Sequence, residues 1–263
     1  MIVTQTLASG LAITQDFSNA VRPVFFLTDF EEWLYATHGG TLFIVQFRGK
    51  NYALTCGHVF RDFPSGRLFI TNEKYAQKGS MPAPIAGICY PSSPRDGAEG
   101  SDISDLCLIE FTDDMPPGFF TNTAYVVDEK TITTASFGDE LLVAGVLKDK
   151  TSIIPPNIEI GYCNLQLRDI GPTSDPCLRR GFAVFAQVLF GRGEFERVTG
   201  ISGAPVFDRT ANALCGMVVR GGMMGPICYL YYLDAFDIFR LLQAVHNRAD
   251  NTYYTKHITV PVR

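Results

Sequence analysis

Ser202 stands in a turn of small residues, Val198-Thr199-Gly200-Ile201-Ser202-Gly203-Ala204-Pro205. Glycines on either side leave its hydroxyl uncrowded and let the backbone take positive φ. Such a turn suits an exposed nucleophile with backbone N–H groups beside it, as acyl transfer requires. A Gly-rich hairpin turn fits the same letters, so the reading depends on a base and an orienting group elsewhere. The chain has four histidines, at 38, 58, 246 and 257. Only His58 closes a strand-like run in a turn beside a glycine, Tyr52-Ala53-Leu54-Thr55-Cys56-Gly57-His58. A carboxylate that fixes an imidazole tautomer must be part-buried and partnered. Asp105, at the head of Leu106-Cys107-Leu108-Ile109, meets that description, with Asp102 in the preceding polar loop as its competitor.

The elements that must position these groups read as strands. Apolar runs are short, rich in Val, Ile, Phe and Tyr, and broken every 8–15 residues by Gly, Pro, Asn or Asp, the pattern of an all-β sandwich or barrel. Strands are expected at 41–47 and 51–55, joined by a three-residue turn with a bulge. Others are expected near 67–71, 83–90, 106–111, 140–148, 158–168, 182–190, 203–208, 214–220 and 227–232. Residues 1–40 are ambiguous, with a strand-like 24–27 before a short helical turn at 30–34. The expected organisation is a first β unit over 1–120, a linker over 121–138 and a second unit over 139–263. In the last part apolar residues at 235, 238, 241, 242 and 245 take helical spacing. That predicts a helix over 234–247, capped by Asp234.

Three boxes resemble those of trypsin-like serine peptidases. Tyr52–Val59 is similar to the histidine box, Asp105–Ile109 to the aspartate box and Gly200–Val206 to the serine box, with Ala204 where a glycine is commoner. Their order matches, and His58, Asp105 and Ser202 lie 47 and 97 residues apart. The resemblance implies a double six-stranded antiparallel β-barrel of chymotrypsin type with a C-terminal α-helix. Ser202 would be the nucleophile, His58 the general base and Asp105 its orienting acid. The backbone N–H groups of Gly200 and Ser202 would form the oxyanion hole. Val219, Arg220 and Gly221 would pair with the substrate backbone. Glu196 would lie on the floor of the specificity pocket, where it also reads as a solvated loop charge. The secreted members' aspartate before the serine, which pairs with a freed N-terminus, is Ile201 here. Their cysteine after the histidine is Val59. The chain therefore resembles the intracellular, disulfide-free branch, with control expected from a protein partner, a ligand or loop ordering.

Composition narrows the alternatives. Of 263 residues, 46% are hydrophobic and 19% charged, with a net charge of −5, so the chain has a sizeable core and no basic surplus for nucleic acid. No apolar run approaches the roughly 18 residues of a membrane span, and Met1–Leu7 lacks the basic start of a secretory signal. Seven scattered cysteines without a C-x-x-C pair read as reduced core thiols of a cytoplasmic protein, with neither metal site nor cofactor expected. The expected function is cleavage of one or a few protein or peptide substrates. A catalytically silent protease fold used for binding is a second reading. A serine esterase using Asp234 with His246 or His257 is a third, disfavoured because Ala204-Pro205-Val206-Phe207 continues as strand where an esterase elbow enters a helix.

Overall fold

The computed structural model describes residues 6–7, 17–30, 33–37, 39–60, 65–74, 80–92, 102–120, 122–154, 157–174, 178–184, 199–224, 227–248 and 254–257. A two-residue strand β1 (Thr6–Leu7) is followed by β2 (Val21–Pro23), β3 (Phe25–Phe30), β4 (Trp33–Ala36), β5 (Thr41–Phe47), β6 (Lys50–Cys56), β7 (Leu68–Phe69), β8 (Ile85–Pro91) and β9 (Leu106–Phe111). The ladder of the first half runs β5-β6-β9-β8, with β2 along β5, and β4-β3-β7 forms a separate small sheet. Phe30 and Trp33, expected in a short helical turn, instead end β3 and begin β4 and pair antiparallel. The β5–β6 turn is tighter than expected. Phe47 pairs directly with Lys50, leaving a two-residue turn with Arg48 at φ 48° and Gly49 at φ 80°. That is the positive-φ pair of a type I′ hairpin, whose twist matches the flanking strands.

The middle segment is tied at both ends. Strand β10 (Tyr125–Val126) lies parallel to β5. Further on, Thr133 N–H donates to Leu214 O and Leu214 N–H to Thr131 O, at 2.9 Å each. The second half comprises β11 (Glu140–Ile154), β12 (Asn157–Pro172), β13 (Leu178–Val184), β14 (Pro205–Asp208), β15 (Ala213–Met224) and β16 (Ile227–Asp234). Each of these pairs antiparallel with two others, in the ring β11-β12-β13-β16-β15-β14 and back to β11. That closes a six-stranded barrel and removes its edges.

Helix α1 (Ala235–His246) begins where Asp234 accepts the Phe236 N–H at 2.9 Å. Its apolar stripe, Ile238, Leu241, Leu242 and Val245, is buried. The helix reaches the first sheet: Phe239 meets Phe47 edge-on at 5.5 Å, and His246 Nδ1 lies 3.1 Å from the Tyr52 hydroxyl. The last described strand, β17 (Tyr254–His257), pairs antiparallel with β8. Strand β17 thus lies on the first sheet rather than with the second barrel. The six described cysteines are free and buried. Among the described residues no helix is long and apolar enough to cross a membrane.

Candidate active site

The first sheet delivers a histidine and an aspartate side by side. Strands β6 and β9 pair antiparallel, with Cys56 opposite Leu106, so the residue after one strand lies beside the residue before the other. Both flanks are short 3₁₀ turns, Gly57–Phe60 and Asp102–Asp105. One Asp105 carboxylate oxygen accepts the His58 backbone N–H at 2.8 Å. The other lies 2.5 Å from His58 Nδ1. Backbone and ring are thus held by one carboxylate, which assigns the Nδ1 proton to the aspartate side and leaves Nε2 as the acceptor of a neutral imidazole. The pair is part-open, with side chains 38% and 24% exposed. Gly57 keeps the turn close, because a Cβ there would stand 3.0 Å from the Tyr90 ring. Asp102 begins the same 3₁₀ turn and is not the residue bonded to His58.

Cys56 is completely buried beneath this pair, and its thiol donates to Val218 O at 3.3 Å. Burial pushes its pKa well up, with the Asp105 charge adding to the effect. It is a protonated, uncharged neighbour. Cys56, His58 and Asp105 form a group with metal-ligand atoms within 4.8 Å of one another. The thiol proton is engaged by Val218 O and the imidazole nitrogen by Asp105, so these contacts favour the hydrogen-bonded pair over a cation.

Ser202 comes from the second half. Ala204 N–H donates to Ile201 O at 2.9 Å, closing a turn with Ser202 and Gly203 at its corners. Gly203 has φ 89°, the value a type II turn requires at its third residue. Gly203 N–H donates to Val218 O at 2.7 Å, the same carbonyl that receives the Cys56 thiol. The loops carrying Ser202 and His58 therefore meet over one carbonyl of β15. Ile201 is 2% exposed and packs against Gly145, where an added Cβ would lie 3.1 Å from its Cγ2. It seats the loop in the core of the second barrel.

The peptide before this turn has a fixed orientation. Lys148 N–H donates to Thr199 O at 2.9 Å. In a planar trans peptide the N–H points opposite to the C=O, so the Gly200 N–H is turned away from β11. Gly200 has φ 96°, and a Cβ there would fall 2.7 Å from Val146 O, so only glycine fits. Among the described residues, neither Gly200 N–H nor Ser202 N–H donates to a protein acceptor.

The remaining expected residues divide. Val219, Arg220 and Gly221 lie on β15, where the pairing to β16 shifts between Val218 and Arg220 and makes Val219 the bulged residue. Among the described strands, β14 pairs with β15 only as far as Met217. Arg220 lies over the Tyr231 ring at 4.8 Å. Glu196 falls outside the described residues. A cavity of about 920 Å³ occupies the opposite end of β6 and β9, lined by Gln46, Asn51, Phe111, Pro117 and Tyr125. It is remote from His58 and Ser202, which lie at the other end of these strands.

No family model matches the chain, and no curated protein does. Among solved structures it is similar to that of GrC, at 15% identity and a TM-score of 0.52, over 88% of this chain and 95% of that one. It is also similar to S-I1, a scabies mite inactivated protease paralogue, at 14% identity and a TM-score of 0.54, over 91% of this chain and all of the other. The chain has the trypsin-like, chymotrypsin-type fold. One of the two similar structures is of an inactivated protein, so this fold by itself does not carry activity.

Proposed function

We propose that the chain is a serine endopeptidase acting on one or a few protein or peptide substrates. The observation that carries the reading is the two-point His58–Asp105 pairing, beside a serine turn whose Gly200 and Ser202 N–H groups are unspent among the described residues. Ser202 Oγ attacks the scissile carbonyl and gives its proton to His58 Nε2. Asp105 stabilises the resulting imidazolium. The oxyanion is received by the Gly200 and Ser202 N–H groups, one such donor being worth about 10²–10³ in rate. Protonated His58 then gives its proton to the leaving amine, and water repeats the cycle on the acyl-enzyme. The β15 stretch Val219–Gly221 pairs with the substrate backbone as an added strand, as the resemblance implies. Glu196 stays a candidate for basic side-chain preference. The six described cysteines, buried and free, support a reducing, cytoplasmic setting.

The test is labelling with a fluorophosphonate probe. Wild type is expected to react, and Ser202→Ala and His58→Ala are both expected to lose the label. An unlabelled wild type would favour a silent fold used for binding, or an enzyme that waits for an activating protein partner. The similarity to an inactivated paralogue makes the silent fold the second reading. The esterase reading is not supported, because Pro205–Asp208 after the serine is a strand.

A further inference from the structure

In the secreted relatives that the boxes resemble, an aspartate beside the serine is expected to bind a freed N-terminus and so shape the loop. Here Ile201 takes that place and lies in the core, which leaves the polar side of the loop to be held by something else. We propose that Thr41 holds it, as a positioning residue that keeps the Gly200–Ser202 loop ready to receive an oxyanion in the uncut chain.

Thr41 opens β5, in the other half of the molecule, and is completely buried. Its N–H donates to Ser202 O at 2.9 Å. Its hydroxyl donates to Gly200 O at 2.8 Å and accepts the Val146 N–H at 2.9 Å. Its own carbonyl accepts the Thr55 hydroxyl at 2.6 Å. One residue thus fixes the carbonyls of both candidate oxyanion residues. The hydroxyl also ties Gly200 to β11 at Val146, and two residues on Lys148 N–H holds Thr199 O. The Thr199–Gly200 and Gly200–Ile201 peptides are therefore held from the two halves of the molecule, and turning the second over would leave the buried Thr41 hydroxyl without its acceptor. A valine has the shape of threonine without these hydroxyl bonds, so the role belongs to the hydroxyl and not to the bulk.

The inference rests on the peptidase reading, and its test separates the two. Thr41→Val and Thr41→Ser are made in the full chain, with Ser202→Ala as the unreactive control. Backbone amide exchange is followed at Lys148 and Gly203, whose bonds fix the loop but do not involve Thr41, with Leu167 as a reference in the second barrel. Exchange at both loop amides is expected to rise about tenfold or more in Thr41→Val, and to stay near wild type in Thr41→Ser, with Leu167 unchanged in both. Probe labelling of the uncut wild type is expected without any added partner. It should fall about 100-fold in Thr41→Val, the scale of a lost oxyanion donor, and within about threefold of wild type in Thr41→Ser. Unchanged loop exchange in Thr41→Val overturns the clamp whatever the labelling shows. Labelling that needs prior N-terminal trimming or a second protein overturns the ready-formed site. Raised exchange with no labelling of wild type in any condition keeps the clamp and overturns the peptidase reading instead. If Thr41→Val does not fold, Thr41→Ala, which also lacks the hydroxyl, is read in the same way.

Discussion

Gly203 is pressed against Thr41. A Cβ on Gly203 would stand 2.0 Å from the Thr41 carbonyl oxygen and 2.6 Å from Thr55 Oγ1, and the backbone there has φ 89°. The second glycine of the serine box is therefore set by contact between the two halves as well as by turn geometry. Gly203→Ala should strain the turn and push Thr41 off Ser202 at the same time. A loss of about 3 kcal/mol or more in unfolding free energy is expected from such a steric and backbone conflict, measured by denaturant titration. A neutral result would mean the two loops are not in contact in solution.

Acid should loosen the C-terminal strand before the rest of the fold. Glu110 is buried on β9 and takes Lys50 at 3.0 Å and Lys256 of β17. Burial alone would raise its pKa, but the bonds from Lys256 and Lys50 outweigh burial and hold it below the usual 4.5. A carboxylate lowered in the folded state contributes stability that is fully present above its unfolded pKa. That contribution is lost as pH falls below about 4.5 and through the folded value. Glu110→Gln should lower the melting temperature by about 2–4 °C at pH 7, the size of a 1 kcal/mol change in a chain this long. The gap to wild type should close towards pH 3. Melting curves over that range check it, and a gap that does not narrow would remove Glu110 as the cause.

The three boxes were legible because each is local. A strand end followed by a turn places His58, a turn followed by an apolar strand places Asp105, and a glycine turn followed by Pro205 places Ser202. What holds them was not legible. Thr41 acts through the Gly200 carbonyl, 159 residues further along the chain, and no spacing within the sequence marks that meeting. Ile201 was readable only as a missing acid, while its work is to fill the barrel core. The β11–β12 hairpin is longer than its apolar pattern for a simpler reason. The polar run Lys148-Asp149-Lys150-Thr151 ends the apolar signal, yet backbone pairing resumes at Ser152 opposite Glu159, since ladder hydrogen bonds do not require apolar side chains. Strand β17 pairs with β8, and Lys256 on it meets Glu110, again partners distant in the chain.

A buried polar cluster in the second barrel should be intolerant of cutting. Asp169 is wholly buried. It accepts Arg179 Nη2 at 2.8 Å, the Gly171 N–H at 2.7 Å and the Tyr232 hydroxyl. Arg179 is raised in pKa: burial works against its charge, but the bonds to Asp169 and Tyr232 prevail. Asp169→Ala leaves a largely buried guanidinium without its counter-ion and should cost about 3–5 kcal/mol. Tyr232→Phe removes the hydroxyl's two bonds, to Asp169 and from Arg179 Nε, but leaves the ion pair, and should cost about 1–2 kcal/mol. Equilibrium unfolding of the two variants should show that order, and a reversal would mean that Tyr232 rather than the ion pair organises the cluster.

The last prediction concerns Asp105 and isolates orientation from charge. The carboxylate holds His58 twice, once through the backbone N–H at 2.8 Å and once through Nδ1 at 2.5 Å. Asn in its place keeps the shape but has one amide oxygen and one NH₂ group. If the oxygen keeps the His58 backbone N–H, the NH₂ faces Nδ1 and forces the ring proton onto Nε2, where it cannot accept a proton from Ser202. If the amide turns over, the backbone N–H meets a donor and the turn is disturbed. That clash disfavours the turned amide, and the first arrangement removes the base without removing the histidine. Asp105→Asn should therefore leave melting within a few degrees of wild type while the rate of probe labelling falls about 10⁴-fold, the size expected for a wrong-tautomer histidine. His58→Ala should be no less severe. Near-wild-type labelling in Asp105→Asn would show that the histidine is oriented by another group, and the assignment of Asp105 would fall with it.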